Sequence, residues 1–455
     1  MKFLSFLEAQ MVKRILRIMA FAVALYPVLI CTAALAEDRV LNLTRSIDIA
    51  LENNLSLKVS REKITQKFWE ERDSYTNFLP RVSGSFTYTR LDRVPVVSFP
   101  SPVPPFTPIE AAFGDENMYT LTFTLSQPVF TGGRLANIWR GKQEETKIAE
   151  TALEIDKTHV AMQVVEAYYS ILKSSRLLAN AQTLKNQRAS HLADVKKFFD
   201  AGLATKADIL KTEVALAEAE QKVIEAENAV NLARANFKTL LNLPPDAEPV
   251  IEDSLEAKKD TKTLDEWKKL AAVGRRELSE LDQVESTLKY ARKVVNSSYY
   301  PQVFFLANWK DERGTSLSLN KWYQSWSGVV SAELDIWNWH STRKKLNAIN
   351  SQISQISAQR QQMYSAISLE TTSAYLDFSA AWNRTTVSEK AVEDAKENVR
   401  VTGLLFKEGM ATTTDMLDAQ SALFNAQSGY FQALYDYQVA YYRLLKASGG
   451  LLGSR

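Results

Sequence analysis

Apolar positions recur with helical period over residues 43–79, where Thr44 opens a segment carrying Ile47, Ala50, Leu51, Leu55, Leu57 and Val59 and ending at Pro80. Past Pro80 the period drops to two. Val82, Gly84, Phe86 and Tyr88 alternate with Ser83, Ser85, Thr87 and Thr89, and Tyr119, Leu121, Phe123 and Leu125 alternate with Thr120, Thr122, Thr124 and Ser126. Such runs predict strands at about 81–91 and 118–130, with one apolar face and one face of small hydroxyls. That arrangement suits a membrane barrel with lipid outside and water inside. A soluble sandwich shows the same alternation, but two strands flanked by very long helices are too few to make one.

The pattern is then written again. Residues 264–300 repeat the first helical block at an offset of 221 and end at Pro301. A strand at 302–310 alternates poorly, whereas one at 324–337 repeats the parity with Trp326, Gly328, Val330, Ala332 and Leu334 against mostly polar partners. The segment 90–117 carries six prolines, including Pro95, Pro100 and Pro108, and reads as an irregular surface loop. Strand passes to helix through QPVFTGGR at 127–134, echoed by LDIWNWHS at 334–341. The glycine pair there reads as a swivel, because no GKS or GKT follows to bind phosphate.

Residues 142–201 hold 60 positions without glycine or proline, and 340–402 hold 63. As single helices these would each extend about 90 Å at 1.5 Å per residue, too far to bury an apolar stripe except against other long helices. The return arms supply some of them. Ala215, Ala219, Ala226 and Ala233 recur as Ala422, Ala426, Ala433 and Ala440, a narrow stripe suited to close helix approach.

Each long helix ends in the same short turn. FFDAGLATKADIL at 198–210 and LFKEGMATTTDML at 405–417 lie 207 positions apart and share Gly202 with Gly409, Ala204 with Ala411, Thr205 with Thr412 and Asp208 with Asp415. Glycine suits the left-handed residue closing one helix, and Thr-x-x-Asp forms the capping box opening the next. These turns are the tips of two helical hairpins. Pro244, Pro245 and Pro249 close the first half.

Composition fits an ordered protein, with 45% hydrophobic and 24% charged residues. Lys13, Arg14 and Arg17, an apolar run from Ile18 to Ile30 and the Ala34-Leu35-Ala36 site predict a signal peptide over 1–36, with Met11 a second candidate start. Its removal takes away Lys2, Lys13, Arg14, Arg17 and Glu8, so the formal charge passes from +2 to −1, and Cys31 leaves with it. That argues against disulfides, thiol catalysis and a nucleic-acid partner. His159, His191 and His340 are too scattered for metal or triad chemistry, so no enzyme, cofactor or metal is expected.

The order helix, strand, strand, long helix, tip and return helix, twice behind a signal peptide, resembles the TolC-like outer membrane efflux protein family. The likeness rests on QPVFTGG, GLATKAD, GMATTTD and DMLDAQSAL, and covers nearly all of residues 41–450. It implies a mainly α fold with membrane β, a long α-helical coiled-coil barrel joined to a trimeric transmembrane β-barrel of about twelve strands. It also implies an outer-membrane exit duct of a tripartite efflux pump or type I secretion system, partnered by a periplasmic adaptor and an inner-membrane pump or ABC transporter. The domains expected are repeat 1 over 37–243 with tip 199–210, repeat 2 over 244–450 with tip 406–417, and a tail over 451–455. A periplasmic adaptor or a structural coiled-coil protein is the alternative.

Two sites follow. Gly202, Leu203, Thr205 and Asp208 with Gly409, Ala411, Thr412 and Asp415 are the expected adaptor contacts, or else only reverse the chain. Asp415 and Asp418 share a helical face, and a trimer would gather six carboxylates near its axis as a pore constriction. The counterpart of Asp418 is Lys211, so capping does not explain it; the resemblance supports an inward position, and an outward solvated acid is the other reading.

Overall fold

The structure is a computed structural model that describes residues 40–453 apart from 106, 113, 254–260 and 316–320. The signal segment expected over 1–36 and the last residues of the tail lie outside the described residues.

Each half opens with a broken helix. Helices α1 (Leu43–Asn53) and α2 (Leu55–Thr76) are separated by Asn54, whose extended backbone interrupts what the apolar pattern presents as one segment. Asn54 caps α2 by accepting from the Ser56 N–H, while its Nδ2 donates to the Leu240 carbonyl at 2.9 Å. At the matching offset of 221, Arg275 breaks the second-half helix into α5 (Leu264–Gly274) and α6 (Arg276–Asn296). Its guanidinium is held by Glu277, Glu370 and the Ala447 carbonyl. Tertiary bonds, which no local periodicity reveals, make both breaks. The cap of α1 is Asn42 rather than Thr44.

The four long strands form one antiparallel sheet in the order β1 (Arg81–Arg90), β4 (Asn117–Phe130), β5 (Gln302–Arg313), β6 (Tyr323–Glu333). Its register aligns the alternation of all four. Val82, Leu125, Ala307 and Gly328 form one row of a largely apolar face, and Gly84, Phe123, Trp309 and Trp326 form the next. On the opposite face Ser83, Thr124, Asn308 and Ser327 share a row, with Thr124 Oγ1 donating to Asn308 Oδ1 at 2.8 Å. Phe304 and Leu306 fall on this mostly polar face, which is why β5 alternates poorly. The outer edges of β1 and β6 have no partner strand among the described residues. The proline-rich loop is not wholly irregular: β2 (Val96–Phe99) and β3 (Ile109–Ala112) pair as a small hairpin, since VVSF and IEAA lie between the prolines.

Helices α3 (Arg134–Asp200) and α7 (Ser341–Lys407) have 67 residues each, and α4 (Lys206–Leu241) and α8 (Thr413–Ala447) return along them. At 1.5 Å per residue the long helices extend about 100 Å. Besides α4, α3 packs against α2, α6 and α8, so one helix joins both halves. The seam of α4 is Ile209, Thr212, Ala219, Val223, Val230, Ala233, Phe237 and Leu241, near a 3–4 spacing. The expected alanine stripe meets it only in part: Ala219, Ala233, Ala433 and Ala440 are buried, Ala215 and Ala226 half-buried, and Ala422 exposed.

The main core lies midway along the bundle. Val164, Val165, Tyr168 and Leu172 of α3 meet Phe237 and Leu241 of α4, Phe378 of α7 and Tyr435, Tyr437 and Leu444 of α8. Each such side chain contributes about 1.5–3 kcal/mol by leaving water. Leu451, in the expected tail, is buried in the same cluster.

Candidate functional site: the paired hairpin tips

Both tips fold as the glycine and Thr-x-x-Asp chemistry requires. Gly202 and Gly409 adopt left-handed backbones, with φ of 75° and 73°. The next residue closes each α3 or α7 terminus, Leu203 N–H donating to the Phe198 carbonyl at 2.7 Å and Met410 N–H to Leu405 at 2.8 Å. Thr205 and Thr412 then cap α4 and α8, accepting at Oγ1 from the Asp208 and Asp415 N–H groups at 3.2 Å. Each aspartate completes its box through Oδ2, which accepts from the threonine hydroxyl and backbone N–H. These threonine bonds hold both carboxyls below their usual range. Asp415 is therefore engaged in the cap, whereas Asp418, one turn along α8, is exposed.

Leu203 is 78% exposed and Met410 is 69% exposed, so equivalent positions of the two tips present large apolar side chains to solvent. Ala411 differs. It packs with Ala204, Leu192 and Phe198 around a small cluster of Val195, Ile209 and Phe406. The His191 ring meets Phe406 edge-on at 4.8 Å, and Phe198 lies 5.3 Å from Phe406.

The second tip is tied to the first hairpin by groups that sequence reasoning had left without a role. Arg188, 5% exposed, donates from Nη2 to the Leu417 carbonyl and to Ser421 Oγ, both at 2.7 Å. Farther along the same α3–α8 seam Asn180 repeats the arrangement, donating to the Phe424 carbonyl at 3.0 Å and Ser428 Oγ at 2.9 Å. Lys211 donates to Thr414 Oγ1 at 3.0 Å, joining the tips directly. The spacing of Asn180, Arg188 and His191, which share one face of α3, was the available signal.

Burial lowers the His191 pKa, and the Arg188 cation beside it acts in the same direction, against smaller opposing effects of Asp194 and the Thr413 backbone. The groove beside it, 640 Å³, also presents Lys197, Arg400 and Lys407. An unfolded histidine takes up a proton below about pH 6.5, which the packed ring resists. Tip packing is thus fully retained above about pH 6.5 and weakens as pH falls through the lower native value. Amide exchange over 405–417, corrected for intrinsic rates, is expected to accelerate on acidification, and His191→Gln to remove that dependence. An equal acceleration in the variant would assign it to another group.

With tips, sheet and helices in place, comparison with known proteins becomes decisive. A sequence model of the outer membrane efflux protein family matches residues 46–243 and 267–450. The chain belongs to that family. This outer membrane efflux protein is 21% identical over 352 residues to the alkaline protease secretion protein AprF of Pseudomonas aeruginosa, covering 74% of the chain and 71% of AprF. Its fold matches the CmeC outer membrane channel of Campylobacter jejuni with a TM-score of 0.76 at 15% identity, over 91% of the chain and 86% of CmeC. It matches the outer membrane protein VceC of Vibrio cholerae with a TM-score of 0.71 at 15% identity, over 90% of the chain and 96% of VceC. The efflux protein thus has the TolC-like fold, is an outer-membrane channel with a long helical part, and belongs to a family of conduits rather than enzymes.

Proposed function

We propose that this efflux protein is the passive exit duct of a tripartite export system, assembled as a homotrimer. The observation that carries the reading is a four-stranded amphipathic sheet whose two edges have no partner strand among the described residues, attached to helical hairpins whose tips lie at the opposite end. Closing three such sheets edge to edge gives about twelve strands, with serine and threonine rows toward water and the apolar face toward lipid. The helices would continue the lumen through the periplasm. Energy would come from an inner-membrane pump or ABC transporter, linked through a periplasmic adaptor that meets the tips at 199–210 and 406–417. The similarity to AprF favours a secreted protein as cargo and hence type I secretion.

Asp418, with Asp415 one turn away, would form the acidic constriction where three second-half tips converge. Like charges gathered there attract cations and disfavour anions.

The β2–β3 hairpin would face the cell exterior, because β1 and β4 both lead at their other ends into the helices that would lie in the periplasm. An epitope inserted beside Ser101 is expected to bind antibody on intact cells. Labelling that appears only after the outer membrane is permeabilised would reverse the orientation.

A further inference from the structure

The two halves of the chain turn from strand to helix with the same backbone and very different side chains. In the first half the turn is made by Gly132 and Gly133, with φ of 58° and 81°. At an offset of 207 the second half has Trp339 and His340, with φ of 53° and 59°. Left-handed backbone is open to glycine and strained for bulky residues. Glycine at 132 also has a steric reason, since an added Cβ would lie 2.8 Å from the Tyr300 Cβ. No such crowding dictates the second-half residues, and Trp339 is 77% exposed.

Two further features depart from what the fold alone favours. Trp337 packs edge-on against both residues, 5.8 Å from the Trp339 ring and 5.2 Å from His340, and stays exposed beside exposed Leu334 and Ile336. Arg343, Lys344 and Lys345 lie in and next to the first turn of α7, where the helix dipole disfavours cations, and none has an ion-pair partner among the described residues. Their first-half counterparts are Ala136, Asn137 and Ile138. Strain kept at paired left-handed positions, together with unpaired cations, points to a function for the exposed side chains.

We propose that Trp337, Trp339 and His340, with Arg343, Lys344 and Lys345, form an anchor for anionic phospholipid headgroups in the leaflet facing the helices. The inference rests on the membrane reading of the sheet. The cluster continues the apolar face of β6, where Trp326 and Val330 are exposed, at the point where strand gives way to helix. Amphipathic rings settle at such an interface, and Lys and Arg bind lipid phosphate there. A neighbouring copy fits less well, because its open edge would begin at Arg81, another cation.

The test uses the full-length protein in detergent, titrated with phosphatidylglycerol or phosphatidylethanolamine, with lipid retention and melting as readouts. Phosphatidylglycerol is expected to raise the melting temperature of the wild type, and phosphatidylethanolamine to do so less. Each cation removed from the Arg343→Gln, Lys344→Gln, Lys345→Gln variant should weaken retention about fivefold. Trp339→Gly with His340→Gly restores the first-half turn, so it should fold and melt at or above the wild-type temperature without lipid, yet lose the phosphatidylglycerol response. Wild-type responses in both variants would overturn the anchor. Loss of the oligomer without lipid would overturn it too, reassigning the cluster to contacts between copies. A wild type that enters phosphatidylglycerol vesicles without being stabilised contradicts the anchor alone; one that fails to enter vesicles contradicts the membrane reading as well.

Discussion

Arg188→Leu is expected to raise the resting conductance of the assembled channel and to make cells permeable to compounds the outer membrane normally excludes. The guanidinium links the α8 end of the second tip to α3, through a carbonyl and a hydroxyl on two successive turns. Hydrogen bonds from a charged donor contribute about 1.5–3 kcal/mol. Losing about 2 kcal/mol of tip docking multiplies the detached population roughly thirtyfold. Folding should survive, because the main core at Val164, Tyr168 and Phe237 is distant in sequence and belongs to a separate cluster. Leucine keeps apolar volume at this buried position, so the change removes the tie more than the packing. Unaltered conductance with normal assembly would show that the tip is held by the His191, Phe198 and Phe406 contacts instead.

Leu203→Glu together with Met410→Glu is expected to reduce export at least about tenfold while leaving oligomer abundance and melting near wild type. Both side chains are exposed, so the substitution removes no major burial within the chain and introduces charge only where another protein would dock. One charge buried without a partner in a docked interface offsets several kcal/mol of contact. Ala411 is the poorer probe, because it packs against the Val195, Ile209 and Phe406 cluster and its replacement disturbs the tip itself. Normal export by the double variant would place the partner elsewhere on the bundle.

What could be read from the sequence follows the range of the interactions involved. The tips were legible because Gly202, Thr205 and Asp208 act on their own neighbours, and the duplicate at 409–415 repeats the same local chemistry. The alternation of β1, β4 and β6 was legible for the same reason. In β5, Phe304 and Leu306 obscure it until pairing assigns the faces. The interruptions at Asn54 and Arg275 were hidden, since apolar period continues across them and the decisive bonds reach Leu240 and Glu370. Strand β6 ends at Glu333, short of the expected 337, because the chain must reach a left-handed turn at Trp339 and His340, residues without glycine's signature. Arg188 reads as one more solvated cation on a long helix. Only packing of α8 along α3 buries it and turns it into a tie.

The exit-duct account is tested most directly by the purified protein in a planar lipid bilayer without any pump or nucleotide. The account predicts an oligomer of three chains that produces discrete, cation-selective conductance steps. Asp415→Ala with Asp418→Ala should remove the selectivity and reduce block by divalent cations. A protein that stays monomeric and passes no current would contradict the duct, and wild-type selectivity in the double variant would remove these aspartates from its constriction.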